Sequence, residues 1–267
     1  MTKVGAIILA RMGSSRLPGK ALVPLCGIPV LEHVVRRLER VEGLTEVVVA
    51  TTMAPEDDVL EHFCQGWNTS CFRGSVSNVL ERCLGAEEAH GLDVVIRLGG
   101  DSPLADSMVI GRMLSRFKEN QPDYLSNTLA RSFPLGLDAE IFAAGVFRRI
   151  SEIVRELPEP ERRSNEENVV PYLHQHPEIF KLHSFEEPPI FPEARLTLDS
   201  PADFVLIEKI YEALFPGQPA FGLSEIEGLL KTNPEWLKIN SGVVPVSGFW
   251  TTSEKQRFEK QYGRHHG

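Results

Sequence analysis

Four short stretches of the chain are apolar and rich in β-branched residues: Val4–Ala10, Glu46–Thr52, Asp93–Leu98 and Arg195–Asp199. The first three are nearly uninterrupted, the pattern of parallel strands covered on both faces. Between them the apolar positions change to helical spacing. Leu31, Val34, Val35, Leu38 and Val41 form one stripe, opened by Pro29 in the first turn. Val109, Ile110, Met113, Leu114 and Phe117 form another. Ser164 with Glu167, and Ser200 with Asp203, have capping-box spacing and predict the starts of two later helices. Strands alternating with helices predict an α/β fold built on a doubly wound, mostly parallel sheet.

Two segments break this rhythm. Residues 123–143 and 180–198 are extended and punctuated by turn residues, and predict a mixed β excursion that covers one side of the site. Leu125, Leu129, Phe133 and Leu135 lie close together in the first of them and predict an exposed apolar patch suited to a subunit contact. The expected division is a main domain over 1–215 and a partly helical extension over 216–267, with a short helix around Ser224–Lys231. The terminal GRHHG is read as a frayed end and not as a metal site.

Composition narrows the function classes. With 267 residues, 42% hydrophobic and 24% charged, the chain has enough apolar mass for a substantial core. A net charge of −9 argues against a nucleic-acid partner, because that affinity is built on neutralising phosphates. Against this acidic background the three cations within residues 11–20 stand out. Cys26, Cys64, Cys71 and Cys83 show neither metal-site nor disulfide spacing and read as reduced thiols in or near the core. His174 and His176 read as surface helix residues. The first apolar run is too short to span a membrane and does not resemble a cleavable leader, so a cytoplasmic location is expected.

In open α/β sheets, ligands bind beyond the carboxyl ends of the strands. Three features fall there. The loop from Ala10 to Lys20 carries glycines that allow close backbone approach, with Arg11, Arg16 and Lys20 to offset the charge of a polyphosphate. It is not the ATPase P-loop: five residues separate Gly13 from Gly19, and Lys20 is followed by Ala21 in place of a metal-binding hydroxyl. In RLGGDSPL, Asp101 leaves a strand end and can hold magnesium, although a carboxylate before Ser-Pro also suits a turn. In RLTLDSPADF, Asp199 has the same context and the same alternative, as helix-entry punctuation. Together the two predict one shared Mg2+ site.

The stretches ILARMGSSRLPGKAL, FRGSVSNVLER, RLGGDSPL and RLTLDSPADF, in that order, resemble the cytidylyltransferase-like sugar nucleotidyltransferases. That family includes the CMP-KDO synthetases and acylneuraminate cytidylyltransferases, and the chain looks most like its spore-coat polysaccharide biosynthesis group. The resemblance covers about residues 3–215. It implies a Rossmann-like fold of the nucleotide-diphospho-sugar transferase type, with a β excursion used for sugar binding and often for forming a homodimer. It implies attack of an acceptor oxygen on the α-phosphorus of CTP, with release of pyrophosphate, in surface polysaccharide or glycoconjugate biosynthesis. Carried over by position, Arg11, Arg16, Lys20 and Asp101 would be catalytic, and Asp101 and Asp199 would hold magnesium. Leu9 and Ala10 would offer backbone groups to the base. Gly13, Ser14 and Ser15, with Arg11 and Lys20, would wrap the nucleotide, and Arg73, Gly74, Ser75 and Asn78 would line its pocket. Asn127, Asp138 and Glu140 would sit near an acidic, sugar-like acceptor. Asn168 stands where the spore-coat group commonly has a histidine, so the acceptor's identity does not carry over. Two other readings remain: a metal-dependent glycosyltransferase using a nucleotide sugar, and a non-catalytic nucleotide-binding subunit. The cation-rich first loop, suited to a free triphosphate, weighs against the former. Intact Asp101, Asp199, Arg11 and Lys20 weigh against the latter.

Overall fold

The structure, a computed structural model, describes residues 2–14 and 16–243; Ser15 and the terminal GRHHG lie outside the described residues. Strand β1 (Val4–Leu9) is followed by a small hairpin, β2 (Pro24–Leu25) and β3 (Ile28–Pro29), and by helix α1 (Val30–Leu38). Three strand–helix units come next: β4 (Glu46–Thr52) with α2 (Asp58–Gly66), β5 (Ser70–Gly74) with α3 (Val79–His90), and β6 (Val94–Gly99) with α4 (Ser107–Asn120). The chain returns in β7 (Tyr124–Ser126) and β8 (Glu140–Ala143), then runs through α5 (Val146–Arg155), α6 (Glu161–Glu167) and α7 (Val169–Gln175). The last elements are β9 (Leu182–Ser184), α8 (Pro201–Leu214) and α9 (Leu223–Thr232).

The central sheet has the order β5-β4-β1-β6-β8-β7-β9. Strands β5, β4, β1 and β6 are mutually parallel, β8 runs antiparallel to β6 and β7, and β9 pairs parallel with β7. The chain steps outward from β1 to β4 and β5, then crosses back to β6 on the other side of β1. That reversal opens a crevice beyond the carboxyl ends of β1 and β6. Successive strand residues face opposite sides of the sheet. Ala6, Ile8, Val49, Ile96 and Leu98 pack with residues of α1, α2, α4 and α8, whereas Ile7, Val48, Ala50 and Val95 pack with α3, α5 and α7. Burial on both faces is why the first three predicted strands read as continuous apolar runs, and each fully buried Ile or Val there contributes roughly 1.5–3 kcal/mol.

The helical stripes become α1 and α4, and Ser200 caps α8, its hydroxyl accepting from the Asp203 amide at 3.3 Å. Several expectations are corrected. Arg195–Asp199 is not a strand: it makes one isolated bridge, Leu135 to Arg195, and spends its amides on different partners. Leu196 N donates to Leu135 O at 2.6 Å and Leu198 N to Asp101 O at 2.9 Å. Ser164 starts no helix but lies inside α6, which begins after Pro160. The β excursion is mixed as expected, and its strands β8, β7 and β9 join the edge of the central sheet. Leu125, Leu129 and Phe133 are buried and Leu135 is half-buried, so the expected exposed patch does not exist. These apolar side chains fill the space that the added strands create. His174 is buried beside Tyr124, not on the surface, while half-buried His176 meets Glu178. Cys64 and Cys83 are buried and Cys71 is half-buried, but Cys26 is exposed on the hairpin. No helix among the described residues is long and apolar enough to cross a membrane.

Candidate active site

The loop after β1 is folded around the peptide of Met12. Its amide donates to Asp57 Oδ1 at 2.7 Å, and its carbonyl accepts from Ser14 N at 2.9 Å and Gly19 N at 3.0 Å. Asp57 is buried just ahead of α2, and its other oxygen accepts from the Thr52 hydroxyl at the end of β4. A buried carboxylate satisfied by two donors thus ties the loop to the neighbouring strand. Leu9 and Ala10 are committed to the sheet: Leu9 O accepts from Gly100 N at 2.9 Å, and Ala10 N donates to Ala50 O at 3.3 Å.

Lys20 reaches back across the crevice. Its ammonium donates to Asp101 Oδ2 at 2.6 Å and to Asp199 Oδ1 at 2.9 Å, and Arg16 Nη2 lies 3.3 Å from the same Asp199 oxygen. Burial opposes the lysine's charge, but the two carboxylates outweigh it and hold its pKa above the ordinary value. The convergence of two residues so distant in sequence has a local cause. Leu198 N hydrogen-bonds to Asp101 O, which sets Asp199 beside the end of β6. Gly99 clears the space for the Asp101 carboxylate, since a Cβ there would come within 2.2 Å of Asp101 Oδ1.

The two carboxylate oxygens are separated by no more than their two contacts to Nζ laid end to end, well inside the ~8 Å over which one octahedral ion can be shared. Among the described residues no group of three or more metal-ligating side chains occurs. The pair still fits magnesium, which takes one or two carboxylates and completes its shell with phosphate and water oxygens. The ammonium of Lys20 shows that a cation is accommodated between them.

Other expected site residues fall into two groups. Gly74, Ser75 and Asn78 form the turn from β5 into α3, where Ser75 Oγ accepts from Asn78 N at 3.1 Å and Asn78 Oδ1 caps the helix through Glu81 N at 2.8 Å. Arg82 reaches under this turn to donate to Ser75 O at 2.5 Å. It is buried, and burial lowers its pKa, with nearby Arg11 adding to the effect. Arg73, in contrast, is spent on structure, facing Asp58 at 2.7 Å and Glu61 at 3.1 Å and donating to the carbonyls of Thr52 and Ala54. Asn127 is fully buried and clamps its own loop, bonding Leu137 O at 2.8 Å and Ala139 N at 3.0 Å. Asp138 pairs with Arg131 at 2.7 Å, and Glu140 accepts from Arg97 at 2.7 Å and from the Tyr124 hydroxyl at 2.9 Å. Asn168 lies half-buried between α6 and α7, its amide donating to Ser164 O. Asp57, Arg82 and Asn240 were not singled out from sequence, and Arg195 and Asp203 were read only as a strand start and a helix-capping partner, not as the cluster behind Asp199. Arg82 left a signal as the last cation of FRGSVSNVLER, and Arg195 and Asp203 as members of RLTLDSPADF.

Comparison with known proteins converges on the same elements. The profile of the family described as "Cytidylyltransferase" matches residues 5–233. The spore coat polysaccharide biosynthesis protein SpsF of Bacillus subtilis is 33% identical over 241 residues, covering 88% of this chain and 97% of that one. A cytidylyltransferase structure from Leptospira borgpetersenii superposes with a TM-score of 0.82 at 30% identity, covering 89% of this chain and 97% of that one. The structure of a CMP:2-keto-3-deoxy-manno-octonic acid synthetase complexed with CTP shares the fold, with a TM-score of 0.61 at 20% identity over 79% of this chain and 99% of that one. The glycine-bearing loop after β1 and both aspartate motifs all lie within the matched span, and the chain belongs to the cytidylyltransferase family.

Proposed function

We propose that this enzyme transfers CMP from CTP to an acidic sugar or sugar-like acceptor and releases pyrophosphate. The observation that carries the reading is the convergence of Lys20, Asp101 and Asp199 beneath the glycine-bearing loop. The names of its relatives support it, one a spore coat polysaccharide protein and one a CMP-sugar-acid synthetase crystallised with CTP. An acceptor oxygen forms a bond to the α-phosphorus, the bond from that phosphorus to the pyrophosphate oxygen breaks, and the acceptor hydroxyl's proton passes to water. Such transfers need positioning and charge neutralisation more than covalent help. The side chains of Arg11 and Arg16 bind and orient the triphosphate, and Lys20 adds its charge where pyrophosphate builds up negative charge. Asp101 and Asp199 would hold Mg2+, which supplies neutralisation of the phosphate oxygens. The Gly74–Asn78 turn bounds the base.

A panel of four nucleoside triphosphates with Mg2+, read by thermal shift and by pyrophosphate release with acidic sugars, tests this reading. CTP alone should both stabilise the protein and support release. Asp101→Asn and Asp199→Asn should each lower turnover on the order of a hundredfold, with partial rescue by excess metal. The double variant should be far less than multiplicatively worse, because both serve one ion. Multiplicative losses, or no preference for CTP, would count against it.

A further inference from the structure

Behind Asp199 stands a buried polar cluster that neither the triphosphate nor the acceptor reading uses. Asp203, on the first turn of α8, is fully buried. Its Oδ1 accepts from Arg195 Nε at 3.2 Å and Asn240 Nδ2 at 2.8 Å. Its Oδ2 accepts from Arg195 Nη2 at 3.1 Å, Ser200 Oγ at 2.9 Å and the backbone amide of Asp199 itself at 3.2 Å. Arg195 also reaches Asp199 Oδ2 at 3.5 Å, and Asn240 Nδ2 donates to Arg195 O at 2.9 Å. Asn240 is buried and lies beyond α9, in the segment that sequence assigned to an extension outside the catalytic domain.

One helix cap needs none of this. Ser200 alone caps α8, and the remaining donors fix the Asp203 carboxylate so that it holds the Asp199 backbone from below while Arg195 flanks the Asp199 side chain. Ligands of metal ions are commonly oriented in this way by outer partners, whose loss typically costs 10–100-fold in metal affinity or activity. We propose that Asp203 and Asn240, acting through Arg195 and the Asp199 backbone, are positioning residues for Asp199. The segment after α9 is thereby part of the catalytic centre and not an appendage. The inference rests on the reading of Asp199 as a metal ligand.

Manganese binding to the full-length protein, followed by the EPR signal of free Mn2+ at saturating CTP, tests it without relying on turnover. Asn240→Ala should raise the half-saturating Mn2+ concentration about tenfold, with CTP binding in the absence of metal staying within about twofold of the parent. Asn240→Ser, which retains a donor, should fall between the two and covers the case in which the alanine variant does not fold. Leu230→Ala, at a buried position of α9, controls for general loosening and should lower the melting temperature while leaving the Mn2+ requirement unchanged. The inference is overturned if the Asn240 variants bind Mn2+ like the parent, or if Leu230→Ala shifts the requirement equally. Asp199→Asn separates the two claims. If it binds Mn2+ normally, the metal reading itself has failed; if it loses Mn2+ while Asn240→Ala does not, only the positioning role falls.

Discussion

Lys20 competes for the ligands that magnesium would use. Its ammonium bridges both carboxylates of the crevice with only 16% of its side chain exposed. The lysine already occupies the position between them, so on the proposed reading Lys20 would have to give up both carboxylates for an ion to be held there. Lys20→Met removes the internal cation and leaves two carboxylates facing each other. Turnover should fall at least tenfold, about 1.4 kcal/mol, yet Mn2+ binding without nucleotide should tighten. Weaker or unchanged Mn2+ binding in free-ion titrations would show that the ammonium does not stand on the ion's ligands. Asp57 acts differently at this scale. It holds the Met12 amide from a buried position and shapes the loop without offering charge to a ligand.

At the scale of elements, two glycines separate function from folding. A Cβ on Gly99 would meet only the tip of the Asp101 side chain, which can swing away. Gly99→Ala should therefore leave the melting temperature close to the parent's and reduce turnover by displacing the Asp101 carboxylate. Gly136 has φ 103°, and a Cβ there would lie 2.4 Å from the backbone of Leu196 and Thr197. Gly136→Ala should cost on the order of 2 kcal/mol or more in urea unfolding, because backbone cannot step aside. The same contact explains what sequence could not supply. Glu46–Thr52 was legible because its burial on both faces leaves a continuous apolar run, and it forms β4 over those residues. The alternation Arg-Leu-Thr-Leu-Asp reads as a strand, but its hydrogen bonds go to the Leu135 turn and to Asp101, partners set only by the folded chain. Lys20, Asp101 and Asp199 were legible because each sits in a short local motif, a glycine-bearing loop or an Asp-Ser-Pro step. Asp57 and Asn240 were not, since their roles depend on contacts across 45 positions each, and Asp203 was legible only as a helix cap because its bond to Asn240 spans 37 positions. Asn127 shows the limit of a local motif: a polar residue in a predicted site segment turns out to bond its own loop at Leu137 O and Ala139 N.

The whole molecule carries a link between acidity, stability and the site. His33 on α1 is buried against Tyr211 and Phe215 of the α8 region, with its Nε2 2.9 Å from Leu25 O. Tyr211 in turn donates to Pro103 O at 2.5 Å, in the turn that follows Asp101. Burial, aided by Arg37 and Arg36, pushes the His33 pKa down to about 4 despite the bond to Leu25 O. On the other face of the sheet, burial and the charge of Arg97 push buried His174 down to about 3. Both imidazoles bind a proton in the unfolded chain below about pH 6.5, whereas the folded protein excludes it until about pH 4 or 3. The unfolded state therefore holds more protons across that window, and stability is present above pH 6.5 and lost as the pH falls toward 4. Each histidine contributes at most about 1.4 kcal/mol per pH unit there. Urea midpoints measured from pH 7 to 4.5 should fall steadily in the parent protein. His33→Gln, which keeps a donor for Leu25 O without a titratable ring, should flatten part of that fall. A variant with the parent's full acid slope would remove His33 from the account. Because the folded protein keeps His33 neutral at pH 5, turnover per folded molecule there should be the same in His33→Gln as in the parent, and only the unfolding midpoint should differ.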